Sequence, residues 1–165
     1  MKKSIAILPG DGIGKEVTAQ GRKILEKVAG EFGHQFSFTE GLIGHEAIEK
    51  TGNALPDGTL ATLKKSDAIL FGAVGHPLYD NDPSLSIRPE QGLLKMRKEL
   101  GLYANLRPIR LFDELLDASS IKPEILKGSD ILFFRELTGD VYFGEKGRKD
   151  NGNTAYDVMV YSAYE

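Results

Sequence analysis

The sequence predicts an α/β fold in which strands alternate with helices and an arm-like antiparallel segment follows. A short apolar run near the N-terminus closes in a glycine-rich turn, apolar residues then recur at helical spacing, and a strand, helix, strand, helix, strand order extends to Phe71. Such alternation argues for a mainly parallel sheet with helices packed on its faces.

Ser4 to Leu8 is the first expected strand, closed by the sharp turn Pro9-Gly10-Asp11-Gly12. From Lys15 to Ala29, the residues Val17, Gly21, Ile24, Leu25 and Val28 recur at helical spacing and form the expected inward face. Glu16, Arg22, Lys23, Glu26 and Lys27 are left for water, and Gly30 is a stop signal. Gln35 to Thr39 alternates and carries two phenylalanines, Asp57 to Lys65 is a short helix, and Ala68 to Phe71 is the third strand. Gly72 to Pro77 ends that strand as a loop, and a polar segment runs on to Pro89.

Glu90 to Leu100 predicts an amphipathic helix with Leu93, Leu94, Arg97 and Leu100 near one face, so that Arg97 stands where an apolar residue is due. Tyr103 to Phe112 and Asp130 to Leu137 read as strands, each with an arginine in an otherwise apolar context. Tyr142-Phe143-Gly144 and Thr154 to Tyr161 suggest short antiparallel strands joined by a turn from Glu145 to Gly152.

The bulk numbers set bounds. With 165 residues and 41% hydrophobic composition the chain can bury the core of one ordinary domain or parts of two. A formal net charge of −3, with both signs interspersed, supplies no broad basic field for a nucleic acid. No cysteine is present, so a disulfide framework and a thiolate metal site are excluded, and a reducing cytoplasm suits the chain. The N-terminal apolar run of about four residues is well short of the ~7–15 of a signal peptide, and no membrane partner is expected. The chain stops at Tyr164-Glu165 without a closing cap or polar tail, which points to an N-terminal portion of a longer protein.

Two features carry chemistry. Gly10-Asp11-Gly12-Ile13-Gly14 lies between a strand and a helix, where backbone N–H groups can face an anion; it reads either as a ligand loop or as a tight turn with Asp11 capping the helix. Its glycine spacing is not that of the Rossmann fingerprint. Arg97, Arg107 and Arg135 are permanent cations in apolar contexts, and each needs an anion if buried. One such arginine is usually a structural ion pair, whereas three could converge on a substrate with more than one carboxylate. His34, His45 and His76 show no metal-ligand spacing.

The segments Leu8 to Val17, Phe71 to Pro77, Gly92 to Lys98, Ala104-Asn105-Leu106-Arg107-Pro108, and Arg135 to Gly139 with Tyr142-Phe143-Gly144 occur in the order found in the β-decarboxylating dehydrogenases. Over essentially its whole length the chain resembles this isocitrate/isopropylmalate family, in its N-terminal half. The stretch Arg88 to Leu94 is similar to that of the isopropylmalate-acting members, which puts substrate choice on Glu90 and Leu93. The resemblance implies a non-Rossmann α/β fold, with residues 1–102 the first part of a cofactor and substrate domain and 103–165 the start of a second, dimerisation domain. It implies NAD-dependent oxidative decarboxylation of 3-isopropylmalate to 4-methyl-2-oxopentanoate in leucine biosynthesis, in a homodimer.

By the same resemblance Arg97, Arg107 and Arg135 grip the two carboxylates of the malate moiety, with Leu93 and Glu90 beside them, and Tyr142 protonates the enol. Ile13, Val74, Gly75, His76, Pro77 and Glu90 line the nicotinamide end of the NAD site. The family's metal, Mg2+ or Mn2+, takes its ligands beyond residue 165, as does the catalytic lysine, so the chain alone is expected to be inactive. Lys15 and Asp140 depart from the proline and glycine common at those places. Related substrates (isocitrate, tartrate, homoisocitrate) and a non-catalytic interaction module are the alternatives.

Overall fold

The structure, a computed structural model, describes every residue except Asn81 and Pro83, which belong to the polar segment expected ahead of Pro89 and lie outside the described residues. It divides into two compact units, Met1–Leu100 and Gly101–Glu165.

In the first unit β1 (Lys2–Gly10) is the central strand of a parallel sheet of order β2-β1-β3, with β2 at Gln35–Glu40 and β3 at Ala68–Ala73. Pairing runs from Lys2↔Gln35 to Ile7↔Glu40 on one side and from Ile5↔Ala68 to Gly10↔Ala73 on the other. A central parallel strand is covered on both faces, which is why Ile5 to Leu8 is an unbroken apolar run. Ala6 and Leu8 point into a core made with Ile43, Leu55, Leu60, Leu63 and Met96. That side carries α2 (His45–Thr51), α3 (Asp57–Lys65) and α4 (Pro89–Glu99). The helix α2 has no counterpart in the sequence reading, because seven residues between Gly44 and Gly52, with Ala47 the buried one, do not span enough turns to show a period.

The other face of the sheet is covered by α1 (Gly14–Glu31), and here the expected inward face is right at Gly21, which faces Leu70 of β3, and at the half-buried Leu25, and wrong at Val17, Ile24 and Val28. Gly14, Thr18 and Ala29 are buried, while Val17 is 51% exposed and Ile24 65%. Small residues win because the helix lies close against the strands. A Cβ on Gly14 would sit 2.2 Å from the Pro9 carbonyl oxygen and 2.8 Å from the Ala73 nitrogen. The Thr18 hydroxyl folds back to donate to the Gly14 carbonyl at 2.7 Å, satisfying its buried polar atom within the helix. On α4 the buried residues are Pro89, Gly92 and Met96, with Leu93 and Leu100 packed at the edge of the core, so the face runs through Met96 rather than Arg97.

In the second unit β4 (Ala104–Arg110) pairs antiparallel with β5 (Asp130–Glu136), from Ala104↔Glu136 to Arg110↔Asp130. The one-turn helix α5 (Pro123–Leu126) lies in the connection. Next come the single turn α6 (Asp140–Phe143) and the hairpin of β6 (Lys146–Lys149) with β7 (Thr154–Asp157). Tyr142 therefore stands on a helical turn and not on a strand, and the hairpin's first strand starts later than expected. Asp150 and Asn151 turn the hairpin at φ 56 and 53, a conformation their short polar side chains tolerate. Among the described residues no helix is long and apolar enough to cross a membrane.

The two faces of the first sheet make opposite predictions for residues of similar size. Leu8→Ala should lower unfolding free energy by about 2–5 kcal/mol, since a fully buried side chain leaves a cavity. Ile24→Ser should stay within about 0.5 kcal/mol, as for other surface changes. Urea unfolding of both variants checks this; a large loss in Ile24→Ser would restore the apolar stripe as the packed face.

Candidate active site

Parallel strands deliver their carboxyl ends to one edge of a sheet, where ligands of α/β proteins bind. Because Gly10 is in register with Ala73, the turn after β1 and the segment after β3 emerge side by side, tied by the Asp11 N–H donating to the Ala73 carbonyl at 2.7 Å. Ile13, 60% exposed, lies at the start of α1, and residues 74–77 follow β3. Gly75 has φ +137, a conformation that side chains rarely adopt, and a Cβ there would be 3.5 Å from Glu90 Oε1. The structure thus gathers Ile13, Val74, Gly75, His76, Pro77 and Glu90 within one unit, and Leu93 and Arg97 continue along α4 from Glu90.

Several contacts around this edge escape sequence reasoning. Asp11 is buried, and its carboxylate does not cap α1, as one reading had it; α1 starts at Ile13 without a side-chain cap. It accepts instead the N–H groups of His45 and Glu46 at the start of α2 and of Gly75, at 2.9, 3.3 and 3.0 Å. His45 and His76, scattered in the sequence, stack with ring centroids 3.9 Å apart, and His45 Nδ1 shares a hydrogen bond with the Tyr79 hydroxyl at 3.0 Å. Burial, aided by the nearby Glu49, Asp11 and Glu90 charges, pushes the Tyr79 phenol up. Arg88 donates to the Tyr79 carbonyl at 2.6 Å and so fixes the approach to α4. The Asp11 and His45 contacts join positions more than thirty residues apart, and no local pattern announces them.

In the second unit the antiparallel register sets Asn105 opposite Arg135 and Arg107 opposite Phe133, so Arg107 and Arg135 share one face of the strand pair. Arg107 Nε donates to Asn105 Oδ1 at 3.1 Å and Arg135 Nε to the Tyr142 hydroxyl at 3.0 Å, with the Arg135 guanidinium 5.8 Å from the Tyr142 ring centroid. The premise that these guanidiniums are buried does not hold, since both residues are exposed. Desolvation therefore does not force an anion on them, but among the described residues their side-chain partners are neutral oxygens and not carboxylates. Two cations on one face, one of them touching a phenol whose own proton stays available, can hold a carboxylate and place a proton donor near it. Burial works against ionisation of Glu136, but N–H groups from Thr138 and Gly139 outweigh it, hold the carboxylate below the usual range, and so brace the turn leading to Tyr142.

A groove of about 950 Å³ lies elsewhere on the first unit, lined by Pro9, Lys15, Thr18, Arg22, Glu46 and Thr59 among others, and none of the candidate site residues lines it. Two of its cations are already paired: Lys15 meets Glu46 at 2.6 Å and Arg22 meets Glu26 at 2.8 Å. Among the described residues no group of three or more His, Asp or Glu side chains is arranged to hold a metal ion.

Comparison with known proteins identifies the family. The sequence profile described as isocitrate/isopropylmalate dehydrogenase matches residues 4–165. The chain belongs to that family. A 3-isopropylmalate dehydrogenase of Rhodopirellula baltica is 57% identical over 167 residues, covering 100% of this chain and 46% of its own length. This family member thus spans about half the length of the curated relatives it matches. The solved isocitrate dehydrogenase of Methylococcus capsulatus is similar at TM-score 0.72 and 25% identity over 97% of this chain and 43% of its own. A β-decarboxylating dehydrogenase of Thermococcus kodakarensis, in its apo form, is similar at TM-score 0.62 and 32% identity over 97% of this chain and 41% of its own. The fold is that of the isocitrate/isopropylmalate dehydrogenases.

The Glu46 ion pairs make a pH prediction for the helix that Asp11 caps. Hydrogen bonds from Lys15, then Lys50, lower the Glu46 pKa from its ordinary 4.5 to about 2. A depressed carboxylate pKa gives stability that is present above 4.5 and lost as pH falls toward 2. Glu46→Gln should therefore be less stable than wild type at neutral pH and should flatten the loss in that window, measured by thermal melts across pH 2 to 6. An identical acid slope in the two proteins would remove Glu46 from the account.

Proposed function

We propose that the chain contributes the first half of the cofactor and substrate surfaces of a dehydrogenase that uses NAD to convert 3-isopropylmalate to 4-methyl-2-oxopentanoate and carbon dioxide, a step of leucine biosynthesis. The observation that carries this is the pair Arg107 and Arg135 on one face of β4 and β5, held by neutral oxygens and touching Tyr142. In this reading the guanidiniums of Arg107 and Arg135 bind a carboxylate of the malate moiety, and Arg97 on α4 is a carboxylate-binding arginine of the first unit. Leu93 meets the isopropyl group by apolar contact, and Glu90 helps exclude a third carboxylate. Tyr142 delivers its proton to the enol carbon after carbon dioxide leaves, and Arg135 at its oxygen steadies the phenolate that results.

The exposed apolar Ile13 and the open glycine segment 74–77 suit the flat nicotinamide ring, and they stand at the sheet edge where a cofactor is expected. NAD, when bound, supplies the acceptor for the hydride from the hydroxyl-bearing carbon. The divalent cation of the family, Mg2+ or Mn2+, finds no set of three suitable side chains among the described residues, and no step here passes through it. We assign residues 1–102 to the cofactor and substrate domain and 103–165 to the dimerisation domain of a cytoplasmic homodimer. The β6–β7 hairpin, too short to be stable alone, supplies an arm to that interface.

By itself the chain should bind and not turn over. Saturating 3-isopropylmalate, at about 100 times its Kd, should raise the stability of the isolated chain by about 2.7 kcal/mol, read as a higher melting temperature. Arg135→Ala should weaken that binding about tenfold or more, the size of a lost hydrogen bond to a charged group. No NADH should form with NAD and Mg2+ present. Metal-dependent turnover by the chain alone, or a melt indifferent to 3-isopropylmalate, contradicts the proposal.

A further inference from the structure

We propose that Asp11 is a positioning residue whose carboxylate staples the cofactor-lining segment 74–77 to the start of α2. The proposal rests on the reading of that segment given above. Asp11 is 5% exposed. Its two oxygens accept three backbone N–H groups from two other segments, and one oxygen, Oδ2, takes both His45 at 2.9 Å and Gly75 at 3.0 Å. Gly44 leaves room for it: a Cβ there would lie 2.3 Å from Oδ2.

The geometry explains why a staple is needed. Gly75 lies at φ +137, and a glycine is the residue most free to leave such a conformation. The next residue, His76, stacks on His45, and the backbone of His45 hangs from the same carboxylate oxygen. One carboxylate thus sets the backbone beneath both rings, while the Asp11 N–H ties β1 to β3 through the Ala73 carbonyl. Hydrogen bonds from N–H to a buried carboxylate are stronger than those between neutral groups, so this side chain holds what the loop's own backbone cannot.

Amide exchange and NAD titration of the isotopically labelled chain test this. In Asp11→Ala the Gly75 and His45 amides should exchange at least about tenfold faster, the scale of a lost bond to a charged acceptor, while the Ile5 and Ile7 amides at the centre of the sheet keep their protection. NAD affinity, followed at the Ile13, Gly75 and His76 amides, should fall at least about tenfold with it. Unchanged exchange at Gly75 and His45 overturns the staple, and so does an equal loss of protection throughout the sheet, which would make Asp11 a general folding residue. If the variant does not fold, the wild-type chain decides: a Gly75 amide that exchanges as freely as an unstructured one overturns the proposal. If NAD moves no amide of the wild-type chain, the cofactor reading of 74–77 fails, and the exchange rates still judge the staple.

Discussion

The parallel register of β1 with β3 is the constraint on which the first unit depends. With Gly10 opposite Ala73, the chain leaves both strands at one level, and everything proposed for the cofactor edge follows from that level. The close approach of α1, permitted by Gly14, keeps the turn short enough for Asp11 to reach α2 and Gly75 while Ile13 stays exposed. A buried carboxylate costs free energy unless it is fully hydrogen-bonded, and three N–H groups meet that demand here.

The second unit is organised by a different constraint. Its antiparallel ladder puts alternate residues on opposite faces, so Asn105, Arg107 and Arg135 fall together, and Leu106 and Phe134 fall on the other side. Both of those apolar residues remain exposed, as do Ile109 and Leu132. A two-stranded ladder gives the arginines a shared direction but buries little around them. Their electrostatic reach is correspondingly open to water and salt, and the anion binding proposed for them would rest on several weak charge-assisted bonds rather than one desolvated pair.

Much of the fold could be read in the sequence because the signals were local. The run Ser4 to Leu8, the alternation from Gln35 to Thr39 and the helix Asp57–Lys65 all appear where periodicity put them. The inward face of α1 could be read only in part, at Gly21 and Leu25, since hydrophobicity favours Val17 and Ile24, whereas steric closeness favours Gly14 and Thr18, and closeness is a tertiary property. The site divides in the same way. Ile13, residues 74–77, Glu90 and Tyr142 are legible only as motifs in register with a family, whereas Arg107 and Arg135 also stand out as permanent cations in apolar runs. Asp11 was visible as a turn residue, but its partners lie 34 to 64 residues away and only the folded chain supplies them.

Arg107 and Arg135, permanent cations on one face of the β4–β5 ladder, are proposed to hold one carboxylate substrate between them. The decisive measurement follows their guanidinium Nε–H resonances during a titration with 3-isopropylmalate. Both should shift in step and saturate at one Kd. Resonances that stay still, or that respond with unrelated affinities, would overturn the proposal.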